Sequence, residues 1–201
     1  MFKNSYQSGN SIELFTPGDK KRIWKVTGKT LPKVYEKAVK SFIVSLEGSN
    51  IKLSIPGNDK ESLWIVQPYL VMQIFIPPGR PFTLETVIST SNGTKRRIIF
   101  SPASKDVIIN PLHVRVPNNW FRRGVWLNLS IDFLSIIANW FPGNTFRSLE
   151  SIWISSACRV RRVFSMRSPL WDDSDENLEP LEGCESVPRN IEFVQGTDFE
   201  N

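Results

Sequence analysis

The feature that most constrains the fold of this chain is a succession of short, largely apolar or alternating runs, each ended by Pro, Gly, Asn or Ser. Such runs are typical of β-strands with one buried face. The segments that fit are 11–15, 22–26, 40–48, 51–55, 69–76, 82–89, 94–101, 112–116, 125–131, 151–155 and 158–164. Between two of these segments, Ser91-Asn92-Gly93 predicts a β-hairpin.

One segment has helical periodicity. In 132–141 the apolar side chains recur at helical spacing, Asp132 is a suitable N-cap, and Pro142-Gly143 ends the pattern. A turn or two of helix is also expected within 31–42. Many short strands with one short helix predict an all-β chain, an antiparallel β-sandwich resembling a jelly roll.

The apolar faces of these segments also predict the core. We expect the following large side chains to be mostly buried: Trp24, Phe42, Leu70, Met72, Ile74, Trp126, Leu129 and Trp153.

Charge divides the chain into two parts. Ten of the 20 acidic residues but one of the 25 basic residues lie in 168–201, which leaves residues 1–167 with 24 basic and 10 acidic residues, a net charge of +14. We therefore expect a β-sandwich domain over 1–167 and an acidic, disordered tail over 168–201. A body this basic is expected to attract a polyanionic partner.

Arginines and a lysine on two of the predicted strands, and in the loop before a third, are the candidate partner-binding residues. They are Lys95, Arg96, Arg97, Arg122, Arg123, Arg159, Arg161 and Arg162. Arginine suits planar, bidentate contacts, so this set predicts a docking face for nucleic acid or for an acidic protein surface. The doublet Arg161-Arg162 breaks strand alternation, which predicts a β-bulge after which Val163 returns to the core.

No pattern of catalytic or ligand-binding residues accompanies these charges. The single histidine, His113, has no Cys or His at metal-ligand spacing, and the glycines are scattered rather than grouped as a phosphate loop. We therefore expect no enzymatic activity, cofactor, metal or small-molecule substrate. Cys158 and Cys184 are expected to be free thiols, and the absence of an apolar run of membrane-spanning length predicts a cytosolic or nuclear protein with no membrane partner.

Several segments, in order and spacing, resemble the cilia- and flagella-associated protein twenty family, and most closely the larger paralogue that contains this domain. They are 1–9 (MFKNSYQSG), 46–50 (LEGSN), 67–74 (QPYLVMQI), 93–101 (GTKRRIIFS), 126–132 (WLNLSID) and 156–164 (SACRVRRVF), and the resemblance covers residues 1–167.

This resemblance implies a jelly-roll-like β-sandwich without known catalytic activity, a structural protein of the ciliary or flagellar axoneme. The small family member lies at the inner junction of the doublet microtubule and is associated with centrioles and basal bodies, and a nuclear role is also attached to it. Tubulin is acidic, so the resemblance implies that the basic strands face tubulin, with other axonemal proteins as further partners. The expected location is the cytoskeleton of the cilium or basal body.

Two alternatives and two departures remain. A nuclear nucleic-acid-associated factor would use the same basic face, and a sugar-binding jelly roll would require exposed rings such as Trp120 and Trp140 in one groove. The family has Gly at the position of Trp64 and usually Asn at that of Ala157. The bulky Trp64 ring is therefore expected to alter a local strand contact.

Overall fold

The structure, a computed structural model, describes residues 1–19, 23–28, 33–48, 50–155, 157–170 and 187. Its elements are β1 (Ser11–Phe15), β2 (Lys25–Thr27), β3 (Lys33–Glu36), β4 (Ser41–Ser45), β5 (Lys52–Ile55), β6 (Tyr69–Phe75), β7 (Thr83–Thr90), β8 (Lys95–Phe100), β9 (Ile108–Ile109), β10 (His113–Val116), β11 (Trp126–Asp132), α1 (Phe133–Trp140), β12 (Phe146–Ser155) and β13 (Arg159–Met166).

These strands form two sheets, which confirms the predicted all-β sandwich. The six-stranded sheet has the order β11-β6-β13-β4-β3, with β1 also pairing with β13. The seven-stranded sheet has the order β2-β5-β12-β7-β8-β10-β9. Within the described residues the pairs of named strands are antiparallel except β8 with β10, which run parallel. The seven-stranded sheet is therefore mixed.

The core lies between the inner faces of the two sheets. Leu70, Met72 and Ile74 of β6 and Leu129 of β11 are buried in it as predicted. Trp126 is also buried, but it packs with Val39 and Ile43 in a separate cluster. Strand alternation thus identified the main core well.

Three of the predicted core residues are less buried than expected. Phe42 is 48% exposed, because it lies near the start of β4, next to the edge strand β3. Its cross-strand neighbour is Tyr35 of β3, and the two ring centroids are 5.6 Å apart. Trp153 is only partly buried and lies below the Lys52 ammonium, 4.9 Å from the ring centroid. Trp24 is partly buried and packs edge-on against Phe15.

The local signals for the helix and the hairpin were correct. The Asp132 carboxylate accepts the backbone N–H of Leu134 at 2.8 Å and of Ser135 at 3.1 Å, which satisfies two of the otherwise unpaired donors of the first turn. In the hairpin between β7 and β8, Gly93 has φ 79°, a left-handed conformation that glycine adopts without strain.

The helix expected within 31–42 is wrong. Residues 33–36 form β3, residues 37–40 form a turn, and β4 follows. The two strands pair in register from Lys33 opposite Val44 to Glu36 opposite Ser41. Pairing of β3 with β4 overrides the local helix propensity, because ordinary residues differ in helix propensity by only about 0–0.7 kcal/mol each.

Trp64 has an unusual backbone conformation. Its φ is 61°, in the left-handed region that favours glycine. The Lys3 ammonium lies 5.2 Å from the centroid of the Trp64 ring, and the Arg147 guanidinium lies 5.7 Å from it. The glycine that the family resemblance implies at this position would adopt this conformation freely.

The tail is described only in part. The predicted boundary at residue 167 stays a prediction, and most of the predicted acidic tail, with Cys184, lies outside the described residues. Val187 is buried against Val71, Phe164 and Met166 on the outer face of the six-stranded sheet. Leu170 packs against the same cluster, so both described parts of the predicted tail contact the sandwich.

Candidate docking surface

The structure divides the predicted basic residues between the two sheets. Lys95, Arg96 and Arg97 lie on β8 of the seven-stranded sheet, whereas Arg159, Arg161 and Arg162 lie on β13 of the six-stranded sheet. The outer faces of the two sheets point to opposite sides of a sandwich. The eight residues therefore do not share one face.

Two half-buried arginines of β13, Arg159 and Arg162, already face carboxylates. Nε of Arg159 donates to Glu47 Oε1 at 2.6 Å, and its Nη1 donates to Glu36 Oε2 at 3.1 Å. Nη1 of Arg162 donates to Glu13 Oε1 at 2.5 Å. A polyanionic partner would have to displace these carboxylates, so this surface offers little uncompensated positive charge.

Arg161 is buried at the predicted bulge. Val160 pairs with Ile74 and Arg162 pairs with Gln73, so Arg161 is the extra residue, and Val163 returns to the core as expected. The Arg161 side chain donates to Gln73 Oε1, and the residue is 7% exposed. Burial, and then the neighbouring Arg162, lower the pKa of its guanidinium. Its charge lies inside the protein, away from any docking partner.

The β8 residues alternate in direction as their spacing predicted. Lys95 and Arg97 are exposed on the outer face, and Arg97 Nη2 lies 2.5 Å from Glu85 Oε1. Arg96 points to the other side, where its guanidinium lies 5.0 Å from the centroid of the Phe141 ring. Lys95 and Arg97 are therefore the two members of this triplet that belong to the outer face.

Strand register brings three further basic residues to this face. Cross-strand partners connect Lys25 of β2 with Arg115 of β10 in one row across the sheet, by way of β5, β12, β7 and β8. On β8, Arg97 is opposite His113 of β10. Lys52 of β5 lies beside this row. We define the basic sheet face as Lys25, Lys52, Lys95, Arg97 and Arg115. In the described part of the chain, Glu85 is the one carboxylate found in an ion pair with this set.

The sequence signal for Lys25, Lys52 and Arg115 was weak. Each is a single charge at an outward position of a short strand, KVT, KLSI or HVRV, rather than part of a doublet. Alternation within each strand places these side chains opposite the buried ones. What alternation does not give is that the three strands belong to the same sheet as β8.

The remaining predicted residues lie in the loop before β11. Arg122 is exposed, and Arg123 Nη1 donates to the backbone oxygen of Arg80 at 2.7 Å, an anchoring contact between loops. Trp140 lines a cleft beside Arg96, but Trp120 is not part of its lining and instead packs on Phe121. The two rings proposed for a sugar site thus do not come together there.

His113 and Cys158, which were also examined as candidate functional residues, both lie against other groups of the protein. His113 Nε2 lies 3.1 Å from Asn110 Nδ2. Cys158 is a free, fully buried thiol, and burial, followed by the negative charge of Glu47, raises its pKa. Among the described residues no group of three or more metal-ligating side chains occurs, and no helix is long and apolar enough to span a membrane.

Comparisons with known proteins extend over nearly the whole chain. The family model described as the CFA20 domain matches residues 1–178. Over 186 residues the chain is 26% identical to cilia- and flagella-associated protein 20 of Paramecium tetraurelia, an alignment that covers 90% of this chain and 94% of that relative.

Proposed function

This chain belongs to the CFA20 domain family, and from that membership we propose that it is a non-enzymatic structural protein of cilia or flagella. We further propose that it docks on the acidic surface of a microtubule through the basic sheet face. The Paramecium relative is a cilia- and flagella-associated protein, and this similarity supports the ciliary part. The observation that carries the docking part is the placement of five basic side chains on one sheet face, where Glu85 is the one carboxylate ion-paired with them among the described residues.

The shape of this face suits a flat, charged partner. Strands in a sheet lie about 4.8 Å apart, so the row from β2 to β10 spans roughly 24 Å. The charges project from paired strands, which hold their spacing better than loops do. Such a face favours fast, salt-sensitive association with an acidic surface.

Co-sedimentation with purified doublet microtubules tests the proposal. We would compare the full chain with a variant in which Lys95, Arg97 and Arg115 are changed to Ala. Each exposed charge contact contributes roughly 0.2–1 kcal/mol, so loss of three should weaken binding about tenfold. We expect a steep decrease in the pelleted fraction.

Matched controls separate the face from net charge. A variant with Lys37, Lys60 and Arg80 changed to Ala loses the same charge from exposed positions that belong neither to this face nor to the predicted partner-binding residues, and it should pellet like the wild type. A variant with Arg159 and Arg162 changed to Ala tests the other sheet. If that variant loses binding and the basic-sheet-face variant does not, the surface proposed here is wrong.

Excess RNA distinguishes the nuclear alternative. A face that fits the microtubule lattice should keep much of its binding when RNA is added at constant ionic strength. Binding that RNA removes completely would identify a general polyanion site and favour the nucleic-acid-associated factor.

A further inference from the structure

The short strand β9 is the free edge of the seven-stranded sheet. It pairs with β10 on one side, Ile109 opposite Val114 and Ile108 opposite Arg115, and in the described residues no strand pairs with its other side. Its apolar side chains are unusually exposed, with Ile108 48% and Ile109 52% accessible. An exposed apolar edge strand offers its backbone as a template for another strand.

The backbone of β9 has the polarity needed for strand addition. Asn110 donates its N–H to the His113 oxygen at 2.8 Å, within the β9–β10 hairpin. In an antiparallel ladder the hydrogen-bonding direction alternates along the strand. The N–H and C=O of Ile109 therefore point away from β10 towards the free edge.

A groove lies on each side of β9, and the two grooves differ in chemistry. On the side of α1, a groove of about 380 Å³ is lined by Ile109, Pro111, Trp140 and Phe141, with Arg96 over the Phe141 ring. On the outer side, a groove of about 340 Å³ is lined by Ile99, Ile108, Lys105, Asp106 and Arg115. The first combines aromatic and apolar side chains with Arg96 and the amides of Asn110 and Asn144, and the second places two cations and one carboxylate beside Ile99 and Ile108.

We propose that β9 binds an extended segment of a partner protein as an additional strand, and that this segment alternates acidic and apolar side chains. Successive side chains of an added strand point to opposite faces, so apolar ones would enter the groove beside Trp140 and acidic ones the groove beside Arg115. A second copy of this chain is a poorer occupant, because it would bring the same cations, Lys105 and Arg115, against each other.

A fluorescein-labelled peptide of five Glu-Val repeats is the probe, and its affinity for the full chain is measured by fluorescence anisotropy. A peptide of the same composition, with five Glu followed by five Val, is the matched control. We expect the alternating peptide to bind at least tenfold more tightly. Equal affinity of the two peptides would overturn the proposal, because it would show attraction by charge alone.

Two variants locate the binding edge. Ile109→Pro removes a donor that faces the free edge and leaves the hydrogen bonds to β10 in place, and it should weaken the peptide roughly tenfold. Lys105→Glu with Arg115→Glu should weaken it further, while Lys60→Glu should not. Undiminished binding by Ile109→Pro, with its circular dichroism unchanged, would refute strand addition.

Two outcomes would identify a different occupant and thereby overturn the proposal. Sedimentation equilibrium showing a wild-type dimer that Ile109→Pro converts to monomer would assign the edge to a second copy. A third occupant is the stretch 191–194 (IEFV) of this chain, which combines an acidic residue with apolar ones, and tighter peptide binding by Phe193→Ser would assign the edge to it. Because the probe is a peptide, failure here leaves the microtubule proposal untouched.

Discussion

Replacement of Trp64 by Gly and by Ala tests whether residue 64 has a left-handed backbone conformation. Trp64 has φ 61°, and an L-residue pays roughly 1–2 kcal/mol for the left-handed conformation, which glycine does not pay. Both replacements remove the ring and its contacts with Lys3 and Arg147, so the lost cation–π energy cancels in the comparison. Glycine also lowers the free energy of unfolding by about 0.4–1 kcal/mol, because the unfolded Gly variant has more conformational entropy than the unfolded Ala variant. The Gly variant should therefore be more stable than the Ala variant by about 0.5–1 kcal/mol.

Urea denaturation followed by far-ultraviolet circular dichroism measures this difference, and calorimetry should show a Tm higher by about 1–4 °C for the Gly variant. At an ordinary strand position the order would be reversed, with Gly less stable than Ala by about 0.5–1 kcal/mol. An Ala variant as stable as the Gly variant would therefore contradict the left-handed conformation. Equal m-values in the two variants are the control for a change in the unfolded state.

Three further predictions follow from burial. Arg161→Ala should destabilise the protein by about 1–3 kcal/mol, because it removes the buried hydrogen bond from the Arg161 guanidinium to Gln73, whereas Arg162→Ala, which breaks a partly exposed pair, should cost about 1 kcal/mol or less in the same urea titration. Burial raises the pKa of the Cys158 thiol and seals it from solvent, so peptide mapping after iodoacetamide at pH 8 should find Cys158 unmodified in the folded protein and modified in urea. Trp126→Ala should cost about 3–5 kcal/mol, and a melting curve like that of wild type would show that its cluster with Val39 and Ile43 is misassigned.

Much of the fold was predictable because its signals are local. The hairpin turn at Asn92-Gly93, the Asp132 cap and the alternation of β6 and β8 each depend on a few neighbouring residues. β9 was not predicted, because it is two residues long and its structure depends on pairing with β10. The first half of β12 was not predicted either, because register shifts between Phe146 and Ser148 and between Leu149 and Ser151 interrupt the alternation of its side chains.

The candidate site was predictable only strand by strand. Alternation correctly placed Lys95 and Arg97 on one face of β8 and predicted the bulge in β13. It gave no information on which strands become neighbours, because that depends on pairing between distant segments. The charge of the Arg161-Arg162 doublet predicted a docking role, but it gave no sign that Arg161 packs against Gln73 and is buried. Arg115, isolated in its own strand, became part of the basic sheet face only through register.

Photo-cross-linking on doublet microtubules tests directly whether the basic sheet face contacts tubulin. A benzoylphenylalanine would replace Lys95 or Arg115 on the basic sheet face, or Glu13 or Arg162 on the opposite sheet, in the full chain. We predict tubulin cross-links from the positions of Lys95 and Arg115 and none from those of Glu13 and Arg162. Cross-links confined to the positions of Glu13 and Arg162 would contradict this prediction and would place the docking surface on the six-stranded sheet.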